Sequence, residues 1–313
     1  MALRVQTAPE KVVQRGKSRR SGSMVRIIVD QFTSFLFVVP FLIAFCLFVG
    51  YPIVFGFIVS LNHWNPLAGP LGFAGWSQYA TLFNMNTLAA QQFWLGLKNT
   101  VTFVIISVPV LLVLPTVLAY LIYRSPFKTL FRSIYFLPTV LSVTAVTSLW
   151  TWLLQTQGGA VNNFLHAHIP WLVEQPWAWL SIDMATVWRT LGFNLIIVYA
   201  GFTQLPQSTL EAAALDGAGA VRTFLSIALP QVRHVLAFII VTSTISSFNL
   251  FAQSLLMTGG GPGSSTEPLT MVIYNQSFNA MHMGSAAAMA YLMAIILAAI
   301  SFVQYHLTRE RAS

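Results

Sequence analysis

Apolar and polar positions along this chain fall into long blocks, not into a residue-by-residue alternation. From Gln31 to Leu97 there is no Asp, Glu, Lys or Arg, and the part from Phe32 to about Leu61 exceeds the roughly 20 residues that cross hydrocarbon. Five more apolar blocks follow, from about Asn99 to Tyr123, Ser133 to Gln155, Ile182 to Phe202, Val235 to Met257 and Ala286 to Leu307. The pattern predicts an all-α integral membrane protein with six transmembrane helices. Pro40 and Pro52 predict kinks in the first of them. Residues 62–97 are rich in Asn, Gln, Gly, Pro and Trp and predict an external loop with a short interfacial helix. Residues 156–181 predict a second one, opened by Gly158-Gly159 and carrying Trp171, Trp177 and Trp179 at a membrane–water interface.

One long polar interruption stands apart, at 206–233, with EAAALDGAGAVRTFLSIALP over residues 211–230. Pro206 ends the preceding span. Ser208 and Glu211 have the spacing of a capping box, in which each side chain takes an orphan backbone N–H. Ala212, Ala213 and Leu215 are strong helix formers. Asp216-Gly217 then breaks the helix, since glycine adopts the positive φ of a helix end. A second short helix is expected from Gly219 to Ala228, closed by Leu229-Pro230. Such a helix–turn–helix cannot bury itself. It fits a docking element, with an amphipathic helix lying on the bilayer as the alternative.

Composition sharpens the class. Of 313 residues 56% are hydrophobic and 8% charged, against about 25% charged in soluble domains. The net charge of +8 does not point to nucleic acid, because seven of the sixteen Lys and Arg lie in the first 26 residues. Residues 1–29 are expected to form a basic cytoplasmic tail attracted to anionic membrane lipid. Residues 124–132, 204–233 and 308–313 hold three, two and two further basic residues, and the external segments hold only Lys98. The positive-inside rule then sets both termini, the 206–233 loop and the short end 309–313 in the cytoplasm. The apolar run after the tail is too long for a signal peptide and is expected to be retained as the first helix.

The residues of the polar loop resemble a known signature. Glu211-Ala212-Ala213, then Asp216-Gly217-Ala218, then Ile227-x-Leu229-Pro230 are similar to the EAA loop of bacterial ABC importer permeases, with His234 where many relatives carry proline. Tyr51-Pro52, Phe73 to Tyr79, Asn99-Thr100, Phe136-Leu137-Pro138, Trp188 to Asn194 and Thr258 to Pro262 extend the resemblance to the sugar-type, maltose/glycerol-phosphate-like permeases over most of residues 35–305. The resemblance implies the binding-protein-dependent transport permease (type I ABC importer) fold across 30–308. It implies that Glu211, Ala212, Ala213, Asp216, Gly217 and Ala218 couple to an ATPase. It implies a second homologous permease, two ATP-binding subunits that hold ATP and Mg, an external solute-binding protein, and no cofactor in this chain. The setting is a bacterial or archaeal cell (inner) membrane.

Candidate chemistry is sparse. Gly259-Gly260-Gly261-Pro262 lacks the Lys of a phosphate loop, since no Lys follows Lys128. It is either a simple turn or, as the resemblance implies, a binding-protein contact. Neither a catalytic set nor a metal site is expected; His166-x-His168 has no third ligand in sequence. Arg189, inside the fourth block, is either an interface anchor or a pathway residue. Ser246, Asn249 and Gln253 have the i, i+3, i+7 spacing of one helix face. They serve either a hydrated sugar path or helix–helix bonding, and the resemblance adds Leu191, Gly192 and Asn194 to the path. The expected function is uptake of a di- or oligosaccharide, with glycerol phosphate or another sugar-like solute as the alternative. An ion-coupled secondary transporter would need an intramembrane carboxylate at mid-depth, and a membrane enzyme would need an acid–base set.

Overall fold

The computed structural model describes Phe35 and residues 37–310, without the side chains of Ala214 and of residues 308–310. The basic tail at 1–29 and Arg311 to Ser313 lie outside the described residues. Contacts divide the chain into two compact units between Phe55 and Gly56.

The first helix, α1 (Phe37–Ser60), is long and apolar enough to cross a membrane, and the start of the predicted block lies outside the described residues. A π-helical turn occupies Cys46–Gly50, with the Tyr51 N–H bonded to the Cys46 carbonyl. It falls just ahead of Pro52, whose missing N–H and bulky ring disrupt a regular turn.

Residues 62–97 are more structured than a loop. β1 (Asn62–Asn65) and β2 (Gly69–Phe73) form an antiparallel hairpin in which Asn62 faces Phe73 and Asn65 faces Gly69. Asn65 Oδ1 accepts the N–H groups of Leu67 and Ala68 at 2.8 and 3.1 Å, which closes the turn. The short helix α2 (Ser77–Thr81) follows. The next helix, α3 (Leu88–Arg124), starts eleven residues before the predicted Asn99, with Thr87 capping it through the Ala90 N–H. Its first turns are held by Phe93 and Leu97, buried with Phe248, Leu269 and Met289. At 1.5 Å per residue α3 is about 55 Å long, well beyond the hydrocarbon thickness.

Two predicted spans are broken. The third consists of α4 (Lys128–Val140) and α5 (Val143–Leu153), bent by 96°. Ser142 caps α5 by accepting the Ala145 N–H at 3.2 Å, so a polar residue inside an apolar run starts a new helix. After α6 (Ala160–Leu165), the fourth span is the unbroken α7 (Trp177–Thr203), starting five residues before the predicted Ile182. The polar loop carries α8 (Gln207–Leu215) and α9 (Ala220–Gln231). The prediction that Leu229-Pro230 closes the second short helix is corrected: the chain stays helical to Gln231. A π turn at Phe224–Ala228 admits Pro230, as the one in α1 admits Pro52.

The fifth span divides into α10 (Arg233–Phe248), bent 73° from α9, and α11 (Ala252–Met257). Then come α12 (Leu269–Tyr274), extended by a π turn at Asn275–Asn279, and α13 (Met283–Glu310). Four helices are long and apolar enough to cross a membrane, or up to six if each bent pair is one span. Helix dominates, and the hairpin supplies the strands among the described residues.

The core forms around α7, which packs on α3 and α4. Leu111, Leu195, Phe202, Ala228 and Ile239 are buried together there. Polar bonds join the same helices. Asn194 Nδ2 donates to the Leu111 carbonyl at 3.0 Å and to Ser243 Oγ at 3.2 Å, and Thr139 Oγ1 donates to the Arg189 carbonyl at 2.9 Å. α7 and α4 meet closely at Gly192, where an added Cβ would lie 2.1 Å from the Tyr135 carbonyl oxygen. Only glycine fits that crossing. Gly192→Ala should destabilise the protein by about 1–3 kcal/mol, the range of core overpacking, and lower its melting temperature in detergent. Gly219→Ala, with open space around the added Cβ, should melt with the wild type. Equal melting of both variants would show that α4 and α7 do not meet this closely.

Candidate functional site

The loop between α7 and α10 is built to stand out from the bundle. α8 begins at Gln207, directly after Pro206, so Ser208 lies in its first turn and does not cap it as expected. The far end matches expectation. Ala218 N–H bonds back to the Ala213 carbonyl at 2.9 Å, around Gly217 at φ +74°. That six-to-one bond is the Schellman closure, and the left-handed residue inside it is the glycine of the Asp216-Gly217 pair. Gly219 then leads into α9.

The six coupling candidates divide by burial. Glu211, Ala212, Asp216 and Gly217 are exposed, Ala218 is half-buried, and Ala213 is buried against the chain. Apolar residues surround them in the open: Leu215 is 89% exposed and Val221 71%. Two large apolar side chains bared together at one loop tip suit a surface that a partner or the bilayer covers.

Behind the tip lies a cavity of about 380 Å³, lined among others by Tyr120, Arg124, Lys128 and Glu211. Phe224 of α9 reaches past it, with its ring 4.8 Å from Tyr120 of α3 and 6.5 Å from Phe202 of α7. Tyr120 and Phe202 are themselves 5.5 Å apart. This aromatic cluster joins the loop to the two central helices.

The path candidates are not assembled as the spacing suggests. α10 ends at Phe248, and the Asn249 side chain folds back to the Ile245 carbonyl at 2.8 Å. Ser246, Asn249 and Gln253 therefore do not share one helix face, and that expectation is corrected. Ser246 and Asn249 are exposed and Gln253 half-buried, while Ser243, Thr244 and Ser247 turn inward. Leu191, Gly192 and Asn194 are buried between helices, and both hydrogens of the Asn194 amide are used in the core.

The structure adds a feature that the sequence analysis passed over. A cavity of about 630 Å³ between α3, α4, α5 and α7 is lined by Tyr135, Pro138, Trp150, Asp183, Trp188 and Leu191, among others. Asp183 is 7% exposed, and its Oδ1 has no hydrogen-bond partner; neither has Trp150 Nε1. Both residues line the same cavity, with these two polar atoms covered in its wall. The Trp150 and Trp188 rings stand edge to face at 6.2 Å. An acidic residue in an apolar helix was the available sequence signal. Arg189, twelve residues into α7, lies about 18 Å along its axis, and its Nε is buried without a partner.

The Gly259 to Pro262 turn is held from within. Thr266 Oγ1 donates to the Gly261 carbonyl at 2.6 Å and pairs with Thr258 Oγ1 at 2.8 Å, and Ser254 Oγ bonds the Thr266 carbonyl. Asn99 of α3 donates to the Ser264 and Glu267 carbonyls at 2.8 and 2.9 Å. Gly259 faces outward, Gly261 and Pro262 are half-buried, and Gly260 is buried. Among the described residues no group of three His, Cys, Asp or Glu side chains is placed to hold a metal.

Comparison with known proteins bears on the whole architecture. The family described as "Binding-protein-dependent transport system inner membrane component" matches residues 92–312. The lactose transport system permease protein LacF of Rhizobium radiobacter is 33% identical over 287 residues, covering 88% of this chain and 94% of the relative. The sn-glycerol-3-phosphate transport system permease protein UgpA of Shigella flexneri is 28% identical over 282 residues, covering 88% and 94%. In fold, the chain matches one from the crystal structure of a bacterial alginate ABC transporter in complex with an alginate pentasaccharide-bound periplasmic protein. The TM-score is 0.81 at 20% identity, covering 93% of this chain and 98% of that one. With its bent spans, its projecting loop and these matches over most of its length, the chain belongs to the inner-membrane components of binding-protein-dependent transport systems, the permease subunits of ABC importers.

Proposed function

We propose that this permease forms half of the translocation path of a sugar importer and that α8 with its flanking turn is the coupling element. The observation that carries the reading is the loop itself, a Schellman-closed helix with bare Leu215 and Val221 at its tip and an aromatic cluster behind it. An ATP-binding subunit is the partner that such a tip fits. Glu211, Ala212, Asp216, Gly217 and Ala218 form the docking side, and Ala213 anchors the helix from below.

In the full assembly a second homologous permease completes the path. Two ATP-binding subunits hold ATP and Mg, so this chain needs no cofactor. An external binding protein docks over the Gly259, Gly260, Gly261 and Pro262 turn. Both termini and the 206–233 loop face the cytoplasm, following the basic residues. ATP drives the cycle only if it stabilises one arrangement over the other. A shift of α9 is passed by Phe224 to α3 and α7.

For the solute, a sugar fits better than a glycerol phosphate. The larger cavity offers the Asp183 carboxylate, an indole N–H and two Trp rings, and no Lys or Arg lines it. A carboxylate repels phosphate and accepts bonds from hydroxyls, and aromatic faces suit the C–H faces of a sugar ring. The route continues past Leu191, Gly192 and Asn194 to the exposed Ser246 and Asn249 and the half-buried Gln253 around the α10 break. The relatives named for lactose and for glycerol phosphate bracket the two possibilities.

Two measurements on the reconstituted transporter test these assignments. Glu211→Lys should leave the complex assembled and hydrolysing ATP while uptake falls at least tenfold; uptake at the wild-type rate would remove the coupling role. Trp150→Phe keeps an aromatic face but removes the pyrrole half of the indole with its N–H, and should raise the half-saturating solute concentration about tenfold, equivalent to about 1.4 kcal/mol. An unchanged value would take the cavity out of the path.

A further inference from the structure

A second polar site lies at the opposite end of the protein from the coupling loop, where no assignment reaches. The π turn at Asn275–Asn279 places Gln276 in the wall of a cleft of about 380 Å³, together with Gln92, Glu267, Asn275 and Asn279. Unlike the turns before Pro52 and Pro230, this one has no proline to accommodate, and such isolated turns are frequent at functional sites.

The cleft is wired. Asn279 Nδ2 donates to Asn275 Oδ1 at 2.8 Å, and Asn275 Nδ2 donates to Glu267 Oε1 at 2.7 Å. Gln276 Nε2 donates to Gln92 Oε1 at 2.7 Å. Gln276 is 8% exposed, yet its Oε1 has no partner. Whichever way that amide is turned, one buried polar atom in the wall of the cleft is left without a partner.

On the stripe of the helix next to Asn275 and Asn279, outside the lining of the cleft itself, Tyr274 and Phe278 begin a row of three rings. Phe251 and Tyr274 are 5.2 Å apart, and so are Tyr274 and Phe278. Tyr274 is 39% exposed and Phe278 51%. The row ends at Phe251, next to the break after Asn249 that Proposed function places on the solute route.

We propose that this cleft and its ring row form a landing subsite for an uncharged sugar chain, filled between release from the binding protein and entry into the path. The inference rests on the sugar reading above and extends it to more than one ring. A sugar ring has apolar C–H faces and a hydroxyl edge, the two surfaces that the rings and the amides complement. A bare cation leaves most of the space empty, since a water molecule fills only about 30 Å³. A phosphate meets Glu267 and no Lys or Arg in the lining.

The test uses the whole transporter in lipid nanodiscs without binding protein, and saturation-transfer NMR with lactose, maltotriose and glycerol 3-phosphate as probes. Both sugars should receive saturation, maltotriose more than lactose, and glycerol 3-phosphate none. Tyr274→Ala and the exposed Asn279→Ala should each cut the maltotriose signal at least threefold per assembled complex. Absence of transfer to both sugars would overturn the subsite, as would undiminished transfer in both variants. ATPase stimulation by the binding protein, measured on the same discs, reads the importer assignment separately. If stimulation persists while the sugars fail to bind, the subsite alone falls.

Discussion

Inside hydrocarbon a backbone N–H or C=O group has no water to bond with, so every departure from a straight helix must find its partners within the protein. Much of this fold follows from how the departures are met. Pro52 and Pro230 each remove a donor, and each is preceded by a π turn whose i+5 bond re-pairs a carbonyl. The bend after α4 is met by Ser142, and the break after α10 by Asn249 turning back on Ile245. Thr100 Oγ1 takes the Leu269 N–H, and Asn99 takes two loop carbonyls, so the short elements around α12 are fastened to α3.

The sequence was legible where one physical signal dominated. Block lengths set the number of spans, and Asp216-Gly217 marked the end of α8 because few residues other than glycine accept φ +74°. It was less legible where one residue type serves two ends. Ser142 and Asn249 read as polar residues within continuous spans, yet each ends or starts a helix. Gln91 and Gln92 looked like loop, because hydropathy alone does not register a helix that continues past the membrane on Phe93 and Leu97. Ser208 had the spacing of a cap, but Pro206 had already set the helix start one residue earlier.

The same distinction runs through the functional regions. The loop between α7 and α10 is local in sequence, so its two short helices and the turn at Asp216-Gly217 could be anticipated together, although the cap expected at Ser208 and the stop expected at Pro230 do not form. The larger cavity is assembled from α3, α4, α5 and α7, and no spacing rule foretells that Trp150 and Asp183 line it together. Helical periodicity misled for Ser246, Asn249 and Gln253 because it presupposes an unbroken helix. Asn194, a plausible sugar ligand by type, spends its amide hydrogens joining α7 to α3 and α10.

One helix touches both ends of the machine. α3 meets Phe224 through Tyr120 near its last turn and grips the Gly-rich turn through Asn99, about three turns from its start. A rod held at both ends transmits tilt without needing a chain of side-chain rearrangements in between. Pro109 and Pro115 weaken that rod at its middle, so it has the form of a jointed strut. Its stiffness at those two residues would decide how much of a tug at the Phe224 end arrives at the Gly-rich turn as movement, and how much is absorbed on the way.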